Sequence, residues 1–167
     1  EGAPTLDKAL FDHGIPVLGL CYGMQLVTHL FGGEVARADK QEFGKAELII
    51  DEKDAALFQN IPNNTKVWMS HGDHVTRIGE GFHAIAHTDS CIAAVVNPEK
   101  NIYAFQFHPE VTHSEHGRDM LQNFVLEVAK CEKNWSMDNY IESTIKAIQE
   151  KVGDKKVILG LSGGVDS

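Results

Sequence analysis

Apolar positions along this chain fall into short blocks that switch between a two-residue and a helical period. Pro16-Val17-Leu18-Gly19-Leu20 is an unbroken apolar run, the mark of a short strand buried on both faces. Gln25-Leu26-Val27-Thr28-His29-Leu30-Phe31 reads as a helix that stops at Gly32-Gly33. Upstream, Thr5 to His13 predicts an amphipathic helix with Leu6, Ala9 and Leu10 on one face and Gly14 as its stop. Alternation from Val35 to Ile50 predicts a strand, and "DEKDAALFQNIPNN" a short helix with a Pro/Asn turn. "TKVWMSHGDHVTRI" predicts a strand running into a polar loop, and "FHAIAHT", "IAAVVN" and "IYAFQFH" three further strands. "SEHGRDMLQNFVLEVAKC" predicts one long helix, with Met120, Leu121, Phe124, Val125 and Val128 at helical spacing.

After Cys131 the pattern changes. "SMDNYIESTIKAIQEKVG" predicts a helix capped at Ser136 or Asp138 and ended by Gly153. "KKVILGLSGGVDS" follows as a buried strand and a glycine-rich loop. A lone strand of that apolarity cannot bury itself, so its sheet partners are expected further on. The expected organisation is an α/β domain over residues 1–134 and the opening of a second α/β domain over 135–167. The leading "EGAPTLDKALFDHG" is no signal peptide and has no initiator methionine, so the chain is expected to begin partway through a longer protein.

Composition narrows the classes. Of 167 residues, 43% are hydrophobic, enough for one fair-sized core. Lys and Arg total 15 against 24 Asp and Glu, a formal net charge of -9, which argues against nucleic acid or an anionic membrane as partner. No apolar run approaches the roughly 20 residues of a membrane span. Cys21, Cys91 and Cys131 are odd in number and widely spaced, which points to reduced thiols and a cytoplasmic protein.

The candidate chemistry sits where the first strand meets its helix. A sharp strand-to-helix turn strains its apex residue and crowds the flanking positions, and here Gly19 and Gly23 flank Cys21. Such a turn lifts the apex side chain to a helix N-terminus, where the partial positive charge favours a thiolate. A thiol nucleophile needs a base, and the base an orienting group. "QFHPEV" supplies His108 and Glu110, two residues apart and able to project to one side, with Pro109 restricting the backbone between them. Both Cys21 and His108 follow predicted strands, and residues past the carboxyl ends of neighbouring strands meet at one sheet edge. A different reading takes His108, Glu110, His113 and His116 as a local cluster for a divalent metal. A third makes the chain a non-catalytic interaction module.

"GLCYGMQ" and "FHPE" resemble the class I, triad-type glutamine amidotransferase domains. The resemblance implies a flavodoxin-like three-layer α/β fold lacking its first strands. It implies Cys21 as nucleophile, His108 as base and acid, and Glu110 as orienting carboxylate. Glutamine would be hydrolysed to glutamate and ammonia through a thioester, without cofactor or metal. The Tyr22 backbone N–H fits one donor to the oxyanion, and the second is expected before Glu1. Gln25, one helical turn after Cys21, and Ser70, His71 and Gly72 of "WMSHGD" would hold glutamine, partly through main-chain groups.

"LSGGVDS" is a phosphate loop that lacks the Gly-Lys-Ser/Thr ending of the Walker motif. Backbone N–H groups around Gly163 and Gly164 can form an anion nest, with hydroxyls from Ser162 and Ser167. The string resembles the pyrophosphate loop of enzymes that activate a carbonyl as its AMP ester, which implies that Ser162, Gly163, Gly164, Val165, Asp166 and Ser167 bind ATP. A class I glutaminase followed by this loop resembles a glutamine-dependent purine nucleotide synthetase. That resemblance implies a ligase in which ammonia from Cys21 aminates adenylylated xanthosine 5'-monophosphate (XMP) to GMP, with ATP and Mg2+ serving the second domain and the full-length protein a homodimer. The glutaminase of a different amidotransferase is the nearest rival, and the tail argues against it.

Overall fold

In a computed structural model, which describes residues 2–134 and 136–160 and leaves the side chains of 39 and 40 aside, the apolar run Val17–Leu20 forms strand β1. It lies parallel to β6 (Ile102–Phe105), with Val17 opposite Ile102 and Leu20 opposite Phe105. With β2 (Glu34–Ile50), β3 (Thr65–Arg77), β4 (His83–His87) and β5 (Ile92–Asn97), these form a six-stranded sheet in the order β1-β6-β5-β4-β2-β3. The sheet is mixed: only the β1–β6 pair is parallel among the described strands.

Side chains alternate across the sheet with the two-residue period of extended chain. Val95, Ile102 and Ala104 join one cluster with Phe11, Met24, Val27 and Phe31. Ala94, Val96 and Phe105 join another with Leu57, Phe58 and Met120. Helical segments therefore cover both faces, which is the three-layer α/β arrangement expected. On the first face lie a 3-10 helix, Lys8–His13, and α1 (Tyr22–Leu30). On the second lie a single 3-10 turn, Ala56–Phe58, and α2 (Gly117–Asn123) with its π-helical continuation Phe124–Val128.

Three predicted elements differ in extent. The first helix starts at Lys8 because the Asp7 carboxylate accepts from the Ala9 N–H at 2.9 Å and caps it there. The long helix starts at Gly117, not Ser114, because Ser114 and Glu115 are bonded to β3. "SHGD" is not a loop: Ser70 to His74 continue β3, paired with Phe43, Glu42, Arg37 and Ala36 of β2 across a bulge opposite Gly72. The β2–β3 hairpin pairs with β4 only through Ile49 and Ile50. Its remaining length brings β3 backbone to the segment after β6, where the His108 N–H donates to the Trp68 carbonyl at 3.0 Å.

Contacts divide the chain into two units, Glu1–Cys131 and Glu132–Ser167. In the second, α3 (Met137–Val152) is capped by Ser136, whose Oγ accepts from the Asn139 N–H at 3.2 Å, and Gly153 with φ 52° follows it. The buried strand expected after it is not formed over residues 155–160: Val157, Ile158 and Leu159 are 66%, 98% and 78% exposed and have no strand partner among the described residues. The glycine-rich loop from Ser162 to Ser167 lies outside the described residues. No described helix is long and apolar enough to cross a membrane.

Candidate active site

Cys21 joins β1 to α1 with φ 49° and ψ -102°. A non-glycine residue in such a conformation costs of order 1–3 kcal/mol and persists only where its surroundings over-determine it. Here the Cys21 N–H donates to the Phe105 carbonyl of β6 at 2.7 Å, and the Cys21 carbonyl accepts from Met24 and Gln25 at 3.0 and 3.3 Å. A Cβ on Gly19 would lie 2.8 Å from the Gly23 carbonyl carbon, so only glycine lets the helix start this close to the strand. At Gly23 itself a Cβ meets nothing within 4 Å, so the steric demand falls on one of the two flanking glycines.

Because β1 and β6 run side by side in the same direction, the residues beyond their ends converge. The fully buried Gln106 donates from Nε2 to Cys21 Sγ at 3.6 Å, and its Oε1 accepts from Gln25 Nε2 at 3.3 Å. The Cys21 thiol points to the Ser70 carbonyl at 3.8 Å. Two residues past Gln106, His108 Nδ1 lies 2.7 Å from Glu110 Oε1. With the carboxylate accepting, Nδ1 carries the proton and Nε2 is left with its lone pair. Among the described residues His108 is bonded to Glu110 rather than directly to the thiol, but the Glu110 charge is felt at Cys21.

The turn carrying His108 is strapped to β3. Ser114, itself buried, donates its hydroxyl to the His108 carbonyl at 2.5 Å and accepts from the Trp68 N–H at 2.9 Å. Glu115 adds a reciprocal pair with the Lys66 backbone, at 2.8 and 3.1 Å. A Cβ on Gly117 would fall 2.0 Å from the Pro109 carbonyl oxygen, so the start of α2 rests directly on the His-Pro-Glu turn.

Electrostatics at the thiol run against the expectation of a favoured thiolate. Burial raises the Cys21 pKa above the ordinary thiol value, and the Glu110 carboxylate adds to the rise. The Tyr22 N–H and the Gln106 amide pull it down, but burial outweighs them. The thiolate is therefore disfavoured at Cys21 in this setting.

The remaining predicted residues separate into those that face Cys21 and those that do not. Tyr22 offers its N–H to the thiol and anchors its hydroxyl on the Pro4 carbonyl. Gln25 is held by the Asp73 carbonyl at 2.9 Å as well as by Gln106. Gly72 lies under the Gln41 side chain. The His71 side chain turns away into a buried cluster with Glu42 and Cys91, so only its backbone borders the Ser70 carbonyl. Burial there pushes the Cys91 thiol up to about 12. The alternative metal cluster does not assemble among the described residues. His113 packs on the Trp68 ring at 4.7 Å, His116 pairs with Asp119 at 3.0 Å, and His108 is bonded to Glu110.

Gln106 and Ser114 were not legible as site residues in the chain. Gln106 sits two positions before His108, just past the end of β6. Ser114, one residue ahead of two polar positions and a helix, looks like a solvated cap.

Residues 1–128 match the model of the glutamine amidotransferase class-I family, and the chain belongs to that family. Among curated proteins it is 71% identical over 167 residues to a GMP synthase [glutamine-hydrolyzing] of Fusobacterium nucleatum, covering all of this chain and 33% of that relative. It is 54% identical to the corresponding protein of Macrococcus caseolyticus, covering 32% of it, so the chain spans about a third of the length of these relatives. A Thermoplasma acidophilum protein, provisionally named as part of a GMP synthase, superimposes with a TM-score of 0.66 at 30% identity, over 86% of this chain and 65% of that one. A Thermotoga maritima glutamine amidotransferase shares the fold at a TM-score of 0.57 and 20% identity, over 86% of this chain and 57% of that one.

Proposed function

We propose that this chain carries the glutaminase half of a GMP-forming synthetase, with Cys21, His108 and Glu110 as a catalytic triad. The observation that carries the reading is the Nδ1 to Oε1 contact of 2.7 Å between His108 and Glu110, and the pairing of β1 with β6, whose ends lead to Cys21 and to His108, supports it. His108 Nε2 takes the thiol proton as Sγ attacks the side-chain amide carbon of glutamine. The resulting oxyanion is met by the Tyr22 N–H. His108 then returns the proton to the leaving nitrogen, the C–N bond breaks, and ammonia departs from a thioester. Water, activated by the same imidazole, attacks that thioester to give glutamate and restore the thiol. Glu110 orients the ring and stabilises the imidazolium formed in each half. Gln25, Ser70, His71 and Gly72 hold the glutamine, His71 through its backbone.

Ammonia would be used by a synthetase domain that adenylylates XMP with ATP and Mg2+. Ser162, Gly163, Gly164, Val165, Asp166 and Ser167 would cradle its phosphates, and the full-length protein would act as a homodimer in the cytoplasm. The relatives' shared name and the order of the motifs support this assignment.

The test is Cys21→Ala in a polypeptide of the relatives' length, assayed for GMP formation with glutamine and then with ammonia. Loss of the glutamine-dependent reaction by at least about 10³-fold with the ammonia-dependent one retained is the expected result. Glutamine hydrolysis surviving in the variant would remove Cys21, and with it His108 and Glu110, from the chemistry.

A further inference from the structure

His71 stands next to the substrate-side backbone of Ser70, yet its imidazole is only 3% exposed and faces Glu42 of β2 and Cys91, the residue before β5. Nε2 lies 3.4 Å from Glu42 Oε2, Cys91 Sγ 3.2 Å from the same oxygen, and Sγ 4.0 Å from Nε2. A tetrahedral cation with nitrogen, oxygen and sulfur ligands at about 2.0–2.3 Å puts neighbouring donors roughly 3.3–3.7 Å apart. Of the three separations, 3.4 Å falls in that range, while 3.2 and 4.0 Å lie just outside it, so small side-chain adjustments would bring the three atoms onto one ion.

The hydrogen-bond inventory points the same way. His71 Nδ1 is 2.9 Å from the Asp73 carbonyl, which can only accept, so that nitrogen carries a proton. In the neutral ring Nε2 is then a bare acceptor aimed at a carboxylate oxygen that is also an acceptor. Thr88 Oγ1 already donates to Glu42, at 3.3 Å to Oε1, and the thiol brings a single proton to the two acceptors that face it. A ring whose far nitrogen is fixed by a carbonyl is also the usual outer-shell arrangement of a metal-bound histidine. One thiolate, one carboxylate and a neutral imidazole balance the charge of a divalent cation. Thiolate and imidazole together select a zinc-like ion over magnesium or calcium, which take oxygen ligands. A cavity of about 190 Å³ is bordered by Glu42 of the cluster and by Ser90, the neighbour of Cys91.

We propose that Glu42, His71 and Cys91 supply three ligands of a site for a zinc-class divalent cation, with water as the fourth, separate from the triad and from any magnesium used with ATP. The ion would tie β2, β3 and the turn before β5 together immediately behind Ser70. Binding replaces the thiol proton, which leaves to solvent as the Cys91 sulfur coordinates.

The reduced, chelator-treated chain would be titrated with Co2+ and then Zn2+. Expected are one equivalent bound, a thiolate-to-cobalt charge-transfer absorption with tetrahedral d–d bands, and displacement of both by zinc. Cys91→Ala should abolish the charge-transfer band, Glu42→Gln should weaken binding at least about tenfold, and Cys21→Ala should leave the spectrum intact. A measurement that needs no variant is thiol alkylation mapped by mass spectrometry, in which one equivalent of zinc should protect Cys91 and spare neither Cys21 nor Cys131. Absence of stoichiometric cobalt binding, a band that persists in Cys91→Ala or disappears in Cys21→Ala, or alkylation of Cys91 unchanged by zinc would each overturn the site.

Discussion

Val17-Leu18-Gly19-Leu20-Cys21-Tyr22-Gly23 and Val157-Ile158-Leu159-Gly160-Leu161-Ser162-Gly163 are two versions of one sequence pattern, an apolar run broken by a glycine and followed by a second glycine. The first run is a strand because Ile102 to Phe105 lie beside it and supply hydrogen bonds along its length. The second, over its described residues, is unpaired and exposed. The same contrast holds for the helices: α1 buries Met24, Val27 and Thr28, whereas α3 has no buried residue and exposes Ile141, Ile145 and Ile148 along one side. Apolarity and spacing set what a segment is able to become. A partner strand decides whether it does, since strand preference is largely a measure of packing against neighbours.

The contrast is broken most sharply by truncating a side chain in each setting. Ile102→Ala removes a fully buried residue opposite Val17 and should cost about 3 kcal/mol or more in urea unfolding of the first unit. Ile158→Ala should change the same transition by less than about 0.5 kcal/mol. Equal losses would mean that the second run is packed as a strand in solution.

The two glycines give the next test. Gly19→Ala forces a Cβ into the Gly23 backbone and should destabilise by about 2 kcal/mol, while displacing Cys21 and lowering glutamine hydrolysis far more than folding. Gly160→Ala meets nothing within 4 Å and should be silent in both measurements. A silent Gly19→Ala would show that the turn can open without consequence for the thiol.

These pairs also mark how much of the molecule could be read from the chain. The His108–Glu110 pair was legible because its partners are two residues apart, and the strand at 17–20 with its turn at Cys21 because the apolar run and its glycines mark what β6 then completes. The run of β3 through Ser70 to His74 was not. Its polar residues are those of a loop, and the register that makes them a strand comes from β2, across a bulge opposite Gly72. The inward turn of His71 was hidden for the same reason, since Glu42 and Cys91 reach it only in the folded sheet. The rise in the Cys21 pKa was hidden too, because burial of the thiol is set by the surrounding fold rather than by its place at a helix start.

Ser114 tests the strap that distinguishes the first unit's turn from a free one. Its hydroxyl serves the His108 carbonyl and the Trp68 N–H together, and both groups lose their partner in Ser114→Ala. A cost of about 1–2 kcal/mol is expected, with a fall in kcat for glutamine hydrolysis larger than any rise in KM if what moves is the proposed base, His108. A change confined to stability, with kcat untouched, would make Ser114 part of the scaffold only.

The smallest effect is at the thiol itself. Since burial, aided by the Glu110 charge, raises the Cys21 pKa, iodoacetamide should alkylate Cys21 with a pH midpoint above that of an ordinary thiol. The signs of the individual neighbours can be separated. Glu110→Gln removes a charge that raises the pKa and should move the midpoint down, whereas Gln106→Leu removes a donor that lowers it and should move the midpoint up. Folding stability must follow the same linkage. A thiol whose folded pKa exceeds its unfolded one contributes fully below the unfolded value, and that contribution falls as pH rises through it toward the folded value, because the unfolded chain ionises first. Unfolding measured across that alkaline window should therefore show a decline that Cys21→Ala reduces. A midpoint at or below the ordinary thiol value would mean that the helix start and the Tyr22 N–H outweigh burial, and that Cys21 reaches its thiolate without waiting for His108.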